Sequence, residues 1–364
     1  MLDARNGWAL TANSPRQILF TTNGAASWHL CTPPGLADGD EIAEVSFFDF
    51  RRAWVFLRSP TLTNCLVLTT DAGNSWSRIT VPFYISDGAN LHFTTPQAGT
   101  VSETDGGLGS SETRFFETAD GGWHWRPVLS EEPILDGTLG TGTIHLCTLC
   151  GERAGYYPPA KIIITRGDWA DEQPKDAVRL SISTNLGKTW RDLSLRLPAE
   201  KFNEGLVDCD PPVFFNAQNG CLPVRLTREK DERAAAFNIL AFYMTHDGGA
   251  TWVPSPSPVV GDGDFHGEDR QVDVVSSRDI FVRAGHDLRV THDGAKTWQS
   301  LKSNLDFGPA TADRAVVQID FADATHGWTI TSDNFNQSPE GNYFLHKTVD
   351  GGVTWIQLPL LLDD

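Results

Sequence analysis

The sequence predicts an all-β chain folded as a seven-bladed β-propeller with four-stranded blades. Three observations carry this: one turn signature occurs seven times, a second apolar register repeats in step with it, and long helical patterns are missing. Self-similarity at a period of about 50 residues is the mark of propellers and solenoids, and it overrides the two or three domains that 364 residues suggest by length. Residues 1–364 are therefore read as a single propeller.

The turn signature reads TTNGAASW at 21–28, TTDAGNSW at 69–76, TADGGWHW at 118–125, STNLGKTW at 183–190, THDGGATW at 245–252, THDGAKTW at 291–298 and TVDGGVTW at 348–355. Its anchoring residues are Asn23, Asp71, Asp120, Asn185, Asp247, Asp293 and Asp350, spaced 46 to 65 residues apart. A short Asp or Asn side chain accepts hydrogen bonds from N–H groups just downstream, and Gly tolerates the positive φ of a tight hairpin. The Trp then opens the outer strand and wedges into the blade, worth roughly 4–6 kcal/mol as an upper bound. The motif is expected to be a folding device between third and fourth strands.

The second register is an apolar anchor six residues before the second strand. It pairs Phe47 with Ala53, Phe93 with Gly99, Leu149 with Gly155, Phe214 with Gly220, Val274 with Ile280 and Phe321 with Gly327. At the start it puts Gly7-Trp8 in a second strand and Met1 at the anchor, so most of the inner strand of blade 1 is missing. The expectation is that the natural chain begins further upstream, with a secretion signal in that segment. Of the 12 tryptophans, seven belong to the turns and three (Trp8, Trp54, Trp328) to second strands, leaving Trp123 and Trp169 unexplained.

A net charge of −18 disfavours phosphate backbones and anionic membrane surfaces, so nucleic acid is not an expected partner. No run of about 18 apolar residues spans a bilayer. MLDARNGWAL lacks the layout of a signal peptide. Six scattered cysteines leave the redox compartment open; Cys147 and Cys150 resemble half a zinc site without its second pair, and Cys209 and Cys221 flank one strand. No cofactor is implied.

The repeated TxDGGxTW turn and the FxDxxxGW strand pair, as in Phe321-Ala322-Asp323 to Gly327-Trp328, resemble the BNR or Asp-box propellers. That superfamily includes sialidases, sortilin-type receptors, xyloglucan-cleaving endoglucanases and the photosystem II stability/assembly factor, and the pattern is most similar to the last. The resemblance covers essentially the whole chain. It implies that the Asp turns lie away from the ligand site, that the chain works outside the cytoplasm as a monomer, and that binding rather than catalysis is its role. The assembly factor's binding surface is arginine-lined, whereas this chain is acidic.

Strand alternation puts the long second-to-third-strand loops and the blade connections at one end, where binding usually sits. Two loops there supply the candidate ligand-binding residues. In ITRGDWADEQPKDAVR, Trp169 beside Asp168 and Asp171 can stack on a sugar ring or fold over its own loop. In VVGDGDFHGEDRQVD, Asp262, Asp264, His266 and Glu268 are spaced like part of a calcium loop, or form a solvated acidic loop. The expected partner is a protein or carbohydrate on this long-loop face. Ser46, His92, Thr148, Val213, Asp273 and Asp320 precede the anchors and should line the central channel.

Sialidase chemistry needs an arginine cluster and a Tyr–Glu pair. The Arg-Ile-Pro signature is absent, Tyr156 is used by the repeat register, and Tyr84, Tyr157, Tyr243 and Tyr343 show no evident Glu partner in sequence. A carboxylate-pair glycosidase remains the alternative, since it asks only for two acids about 5–9.5 Å apart.

Overall fold

A computed structural model describes residues 1–11, 15–36, 39–59, 65–83, 85, 89–107, 110–129, 143–146, 152–167, 177–197, 206–228, 237–261, 272–284, 286–307, 315–333, 342–359 and 361–363. These residues form seven sheets and no helix, which makes the chain a seven-bladed β-propeller. Blade 2 shows the plan: Glu41–Phe47, Ala53–Arg58, Cys65–Thr69 and Ser77–Thr80 run antiparallel from channel to rim. Blades 6 and 7 repeat it, starting at Val272–Val274 and Ala315–Phe321. In blade 3 the outer edge is shared by Arg126–Pro127 and Thr143–Leu146, and in blade 5 both edges are split in this way.

The anchor register holds as a strand pair in five blades as written. Phe93, Phe214 and Phe321 cover glycines so closely that a Cβ on Gly99, Gly220 or Gly327 would sit 2.7, 2.9 or 2.5 Å from the ring. Met1 covers Gly7 in the same way. Blade 4 is the correction. Gly155 lies in the inner strand, Glu152–Tyr157, and the anchor pair is Tyr156 opposite Ile162. Leu149 lies outside the described residues, and Thr143–Leu146 just before it belongs to the rim of blade 3. The six-residue offset survives; it was read one strand too early, because Gly155-Tyr156 imitates the small-then-bulky start of a second strand.

Blade 1 contains Gly7–Leu10, Ile18–Thr21 and Trp28–Leu30, and its rim strand is Leu362–Asp363, paired parallel to Trp28–Leu30. Among the described residues it has no inner strand.

Seven apolar clusters fill the seven interfaces between blades. The second-strand tryptophans cross them: the indole N–H groups of Trp8, Trp54 and Trp328 donate to the carbonyls of Asp49, Gly121 and Gly24 on the next blade, at 2.8, 2.8 and 3.4 Å. In blade 4 the same step is taken by Lys161, which donates to the Gly248 carbonyl at 2.6 Å from above the Phe214 ring. Desolvation lowers the pKa of that ammonium. Turn tryptophans Trp28, Trp252 and Trp355 are buried as expected, whereas Trp190 stays 40 % exposed. No helix among the described residues is long and apolar enough to cross a membrane. Cys31, Cys65, Cys209 and Cys221 are free buried thiols, and burial pushes Cys209 and Cys221 up to about 12. Cys147 and Cys150 lie outside the described residues.

Candidate functional site

The carboxylates that a search for acids finds first are engaged in the backbone. Asp247 accepts from the Thr251 N–H at 2.8 Å, the Thr251 hydroxyl at 2.6 Å and the Thr245 hydroxyl at 2.9 Å. Thr245 Oγ1 in turn accepts from the Gly249 N–H at 2.9 Å. Asp293 repeats the set on Thr297 and Thr291, and Asp71 on Ser75 and Thr69. In blades 1 and 4 the amide does the same work: Asn23 and Asn185 accept from the N–H of Ser27 and Thr189, and turn their Nδ2 to the hydroxyl.

These bonds favour the ionised form, first through the Thr251 and Thr297 hydroxyls and then through the backbone N–H groups, and hold Asp247 and Asp293 at about 2. The unfolded carboxylates titrate near 4, so between these values the unfolded chain binds more protons. Stability is therefore present above pH ~4 and is lost as pH falls toward ~2. In acid titration followed by circular dichroism, an Asp247→Asn/Asp293→Asn variant should show a shallower loss than the parent, because Asn23 and Asn185 prove the amide fits. An unchanged acid limb contradicts the assignment.

The turn between first and second strands is capped similarly. Asp49 Oδ1 accepts from the N–H groups of Arg51 and Arg52, and Asp323 Oδ1 from those of Thr325 and His326, at 2.7–2.8 Å. His246 and His292 then bridge the two turns of one blade, bonding Asn219 at 2.7 Å and Asp279 at 2.8 Å. A cleft of about 650 Å³ at this end, between blades 6 and 7, is walled by Arg278, Asp279, His292 and Asp350. Asp279 holds Ser276 and His292, and Arg278 Nε donates to the His292 carbonyl, so these walls are turn clasps.

One Tyr–Glu pair does exist: the Tyr156 phenol donates to Glu117 at 2.8 Å, with Arg126 on the same carboxylate at 2.6 Å. The two residues come from different blades, which is why sequence spacing hid them. Burial pushes the Tyr156 phenol well above its ordinary range, the opposite of what a nucleophile requires.

The channel positions stitch blades together. Ser46 Oγ accepts from the Phe93 N–H at 3.3 Å, and Asp273 Oδ2 from the Phe321 N–H at 2.5 Å. Asp320 takes the Met1 ammonium at the corresponding place. The His92 ring makes no hydrogen bond to a described residue and is not paired with Asp273 or Asp320; although it keeps solvent contact, desolvation lowers its pKa. Val213 is exposed, and Thr148 lies outside the described residues.

At the long-loop end, Asp168, Trp169, Asp171, Asp262, Asp264, His266 and Glu268 all lie outside the described residues. What is described there is a set of arginines that sequence reading passed over. Three pair across the inner and second strands: Glu41 opposite Arg58 and Glu152 opposite Arg166 at the rung that meets the loops, and Asp208 opposite Arg225 further into the ladder. Each pair is a salt bridge, with Arg58 at 2.7 Å, Arg225 at 3.2 Å and Arg166 gripping Glu152 by two nitrogens. Arg153 adds Asp208 at 2.9 Å and Asp210 at 2.8 Å. Arg153 and Arg166 keep N–H donors beyond these bonds, and both are about half exposed. In blades 2 and 4 the readable signal was an acid opening the inner strand and an arginine closing the second. Glu103 nearby is 2 % exposed with one oxygen unpartnered, and burial raises its pKa.

No family model matches the chain, and no curated protein does. Among solved structures it is similar to a polysaccharide lyase, a PL25 ulvan lyase bound to -[GlcA(1-4)Rha3S]-, with a TM-score of 0.56 and 10 % identity over 98 % of this chain and 92 % of that one. It is also similar to YCF48 bound to D1 peptide, with a TM-score of 0.52 and 15 % identity over 96 % and 91 %. At these identities the likeness is one of fold.

Proposed function

We propose that the chain is an Asp-box propeller of the assembly-factor type, a single non-catalytic binding module that works outside the cytoplasm as a monomer and offers its long-loop end to a protein ligand. The observation that carries this reading is the division of labour between the two ends. Turn-end carboxylates are consumed by backbone clasps, while the long-loop end presents Arg153 and Arg166 with donors to spare. Planar guanidinium groups, held by acids that offset their charge, suit carboxylates and carbonyls of an extended peptide. The likeness to YCF48, which is bound to a peptide, agrees with this at the level of fold. Trp169 and the acids of 168–171 and 262–268 would complete the surface.

A second reading, a carbohydrate-active propeller, draws on the likeness to ulvan lyase. One assay separates the two. Incubated with xyloglucan, arabinan and ulvan, the chain should release no reducing ends and form no unsaturated uronic products. Turnover of any of these that survives repurification and is lost in an Arg153→Ala/Arg166→Ala variant overturns the binding assignment.

A further inference from the structure

Blade 4 carries one rung unlike the rest. Its strands Glu152–Tyr157, Lys161–Arg166, Ala177–Ser183 and Arg191–Arg196 align Glu152, Arg166, Arg179 and Ser194 side by side across the blade. Residues directly opposite on neighbouring strands share a face, and like charges so placed repel. Arg166 opposite Arg179 is the one rung among the described strand pairs that sets two cations against each other. The equivalent rung, four residues past the anchor partner, is Leu57 opposite Cys65 in blade 2 and Val224 opposite Ala241 in blade 5, all buried, and Glu103 opposite Arg114 in blade 3. Ile164, two residues before Arg166 and on the same face, packs against the cluster of Phe115, Val128 and Ile144 in blade 3. The rung therefore faces the seam between blades 3 and 4. A cavity of about 150 Å³ lies over it, walled by Glu152, Arg166, Arg179, Ser181, Asp192 and Ser194.

The charges on this rung do not balance among the described residues. Glu152 accepts from Nε and Nη2 of Arg166, leaving Nη1 without a described partner, and Arg166 stays about half exposed. Arg179, half-buried, makes no hydrogen bond or ion pair with a described residue. Asp192, further along the same face, is held by the Ser181 hydroxyl at 2.6 Å. Two guanidinium groups against one carboxylate leave one positive charge on the rung. We infer that this rung is a carboxylate-binding subsite, in which Arg166 and Arg179 together grip one acidic side chain of the protein ligand. The inference rests on the reading of the long-loop end as a protein-binding face, and it names what that face selects. Two planar guanidinium groups whose stems stand about 5 Å apart can each donate to one oxygen of the same carboxylate. A single negative charge cancels the surplus and relieves the repulsion between the arginines. A phosphate dianion would overshoot it and would meet Asp192 on the same face. The cavity admits one side chain and is smaller than the roughly 300–1,000 Å³ that encloses a whole small molecule, so it suits one residue of a longer ligand.

The probes are acetyl-glutamate amide, acetyl-glutamine amide and glucuronate, each titrated into the full chain while the arginine Nε–H resonances are followed by NMR. The capped glutamate should shift the Arg166 and Arg179 resonances saturably; the capped glutamine, of the same shape without the charge, should not. Arg179→Met keeps an unbranched stem and removes the charge, and it should weaken the capped glutamate at least about tenfold. The same variant should melt at the parent temperature or above it, because the repulsion is gone. A lower melting temperature means that an acid of this chain already neutralises Arg179, and overturns the inference. So does an equal response to glutamine and glutamate, or no response to either. Glucuronate bound more tightly than the capped glutamate assigns the rung to a saccharide and overturns it too. The two readings fail separately. Array peptides lost with Arg153→Ala/Arg166→Ala but kept with Arg179→Met sink the subsite alone, whereas capped glutamate bound by a chain that retains no peptide sinks the protein-binding reading.

Discussion

Replacing Trp54 with alanine is expected to destabilise the protein by about 3–5 kcal/mol. Trp54 is 1 % exposed, stacks on Phe93 at 3.7 Å, and donates its indole N–H to Gly121 of the next blade. Alanine removes the ring, opens a cavity between blades 2 and 3, and leaves a carbonyl without its donor. Trp54→Phe keeps much of the apolar contact and should cost less, about 1–3 kcal/mol, with the lost hydrogen bond the main difference. Equilibrium urea unfolding of the two variants gives both values. As a control, Trp123→Ala should fall within about 0.5 kcal/mol of the parent, because that ring is 53 % exposed on a turn. Equal losses at Trp54 and Trp123 would remove the structural basis for separating them.

Gly352→Ala is expected to cost about 2–5 kcal/mol, read from the same unfolding curves. Gly352 has a φ of +97° and its Cβ would sit 2.5 Å from Cδ2 of the fully buried Leu288. A left-handed backbone and an overfilled interface then add, at about 1–2 and 1–3 kcal/mol. The equivalent turn positions in blades 1 and 6 already carry alanine, and there Ala25 and Ala295 lie at φ of 73° and 63°. The turn thus tolerates a methyl group only where the backbone relaxes toward ordinary left-handed values. The reverse change, Ala295→Gly, should be neutral or mildly destabilising through the entropy of the unfolded chain.

The fold was legible because each blade spells its own turn. The Ser/Thr and Asp/Asn of the signature are the groups that hold the hairpin, so their spelling reports geometry directly. The same logic extends to Asp49 and Asp323, whose FxD position precedes the N–H groups it caps. Blade 4 shows where legibility ends. Tyr156 is an anchor, but Gly155-Tyr156 also satisfies the pattern for a second strand, and only the pairing with Ile162 decides. The arginines of the long-loop end were missed for a related reason. Arg58 and Arg166 stand 17 and 14 residues from their acids, a separation set by a hairpin and invisible without its register. Tyr156 and Glu117 lie 39 residues apart in different blades, beyond any local rule. Alternation singled out Ser46 and Asp273 on their inner strands, but not their task, since the N–H groups they serve belong to the neighbouring blade.

The division between a clasped turn end and a binding long-loop end is tested most directly by comparing two variants on one ligand set. Peptides bound by the parent chain on a tiled array would be titrated with an Arg153→Ala/Arg166→Ala variant and with a Trp123→Ala/Trp190→Ala variant. The first removes donors beside the loops; the second removes two exposed indole rings of the turn end. The account predicts that affinity falls at least about tenfold in the arginine variant, equivalent to the loss of one charge-assisted contact, and is unchanged in the tryptophan variant. Affinity lost in the tryptophan variant and kept in the arginine variant would place binding on the opposite end and contradict it.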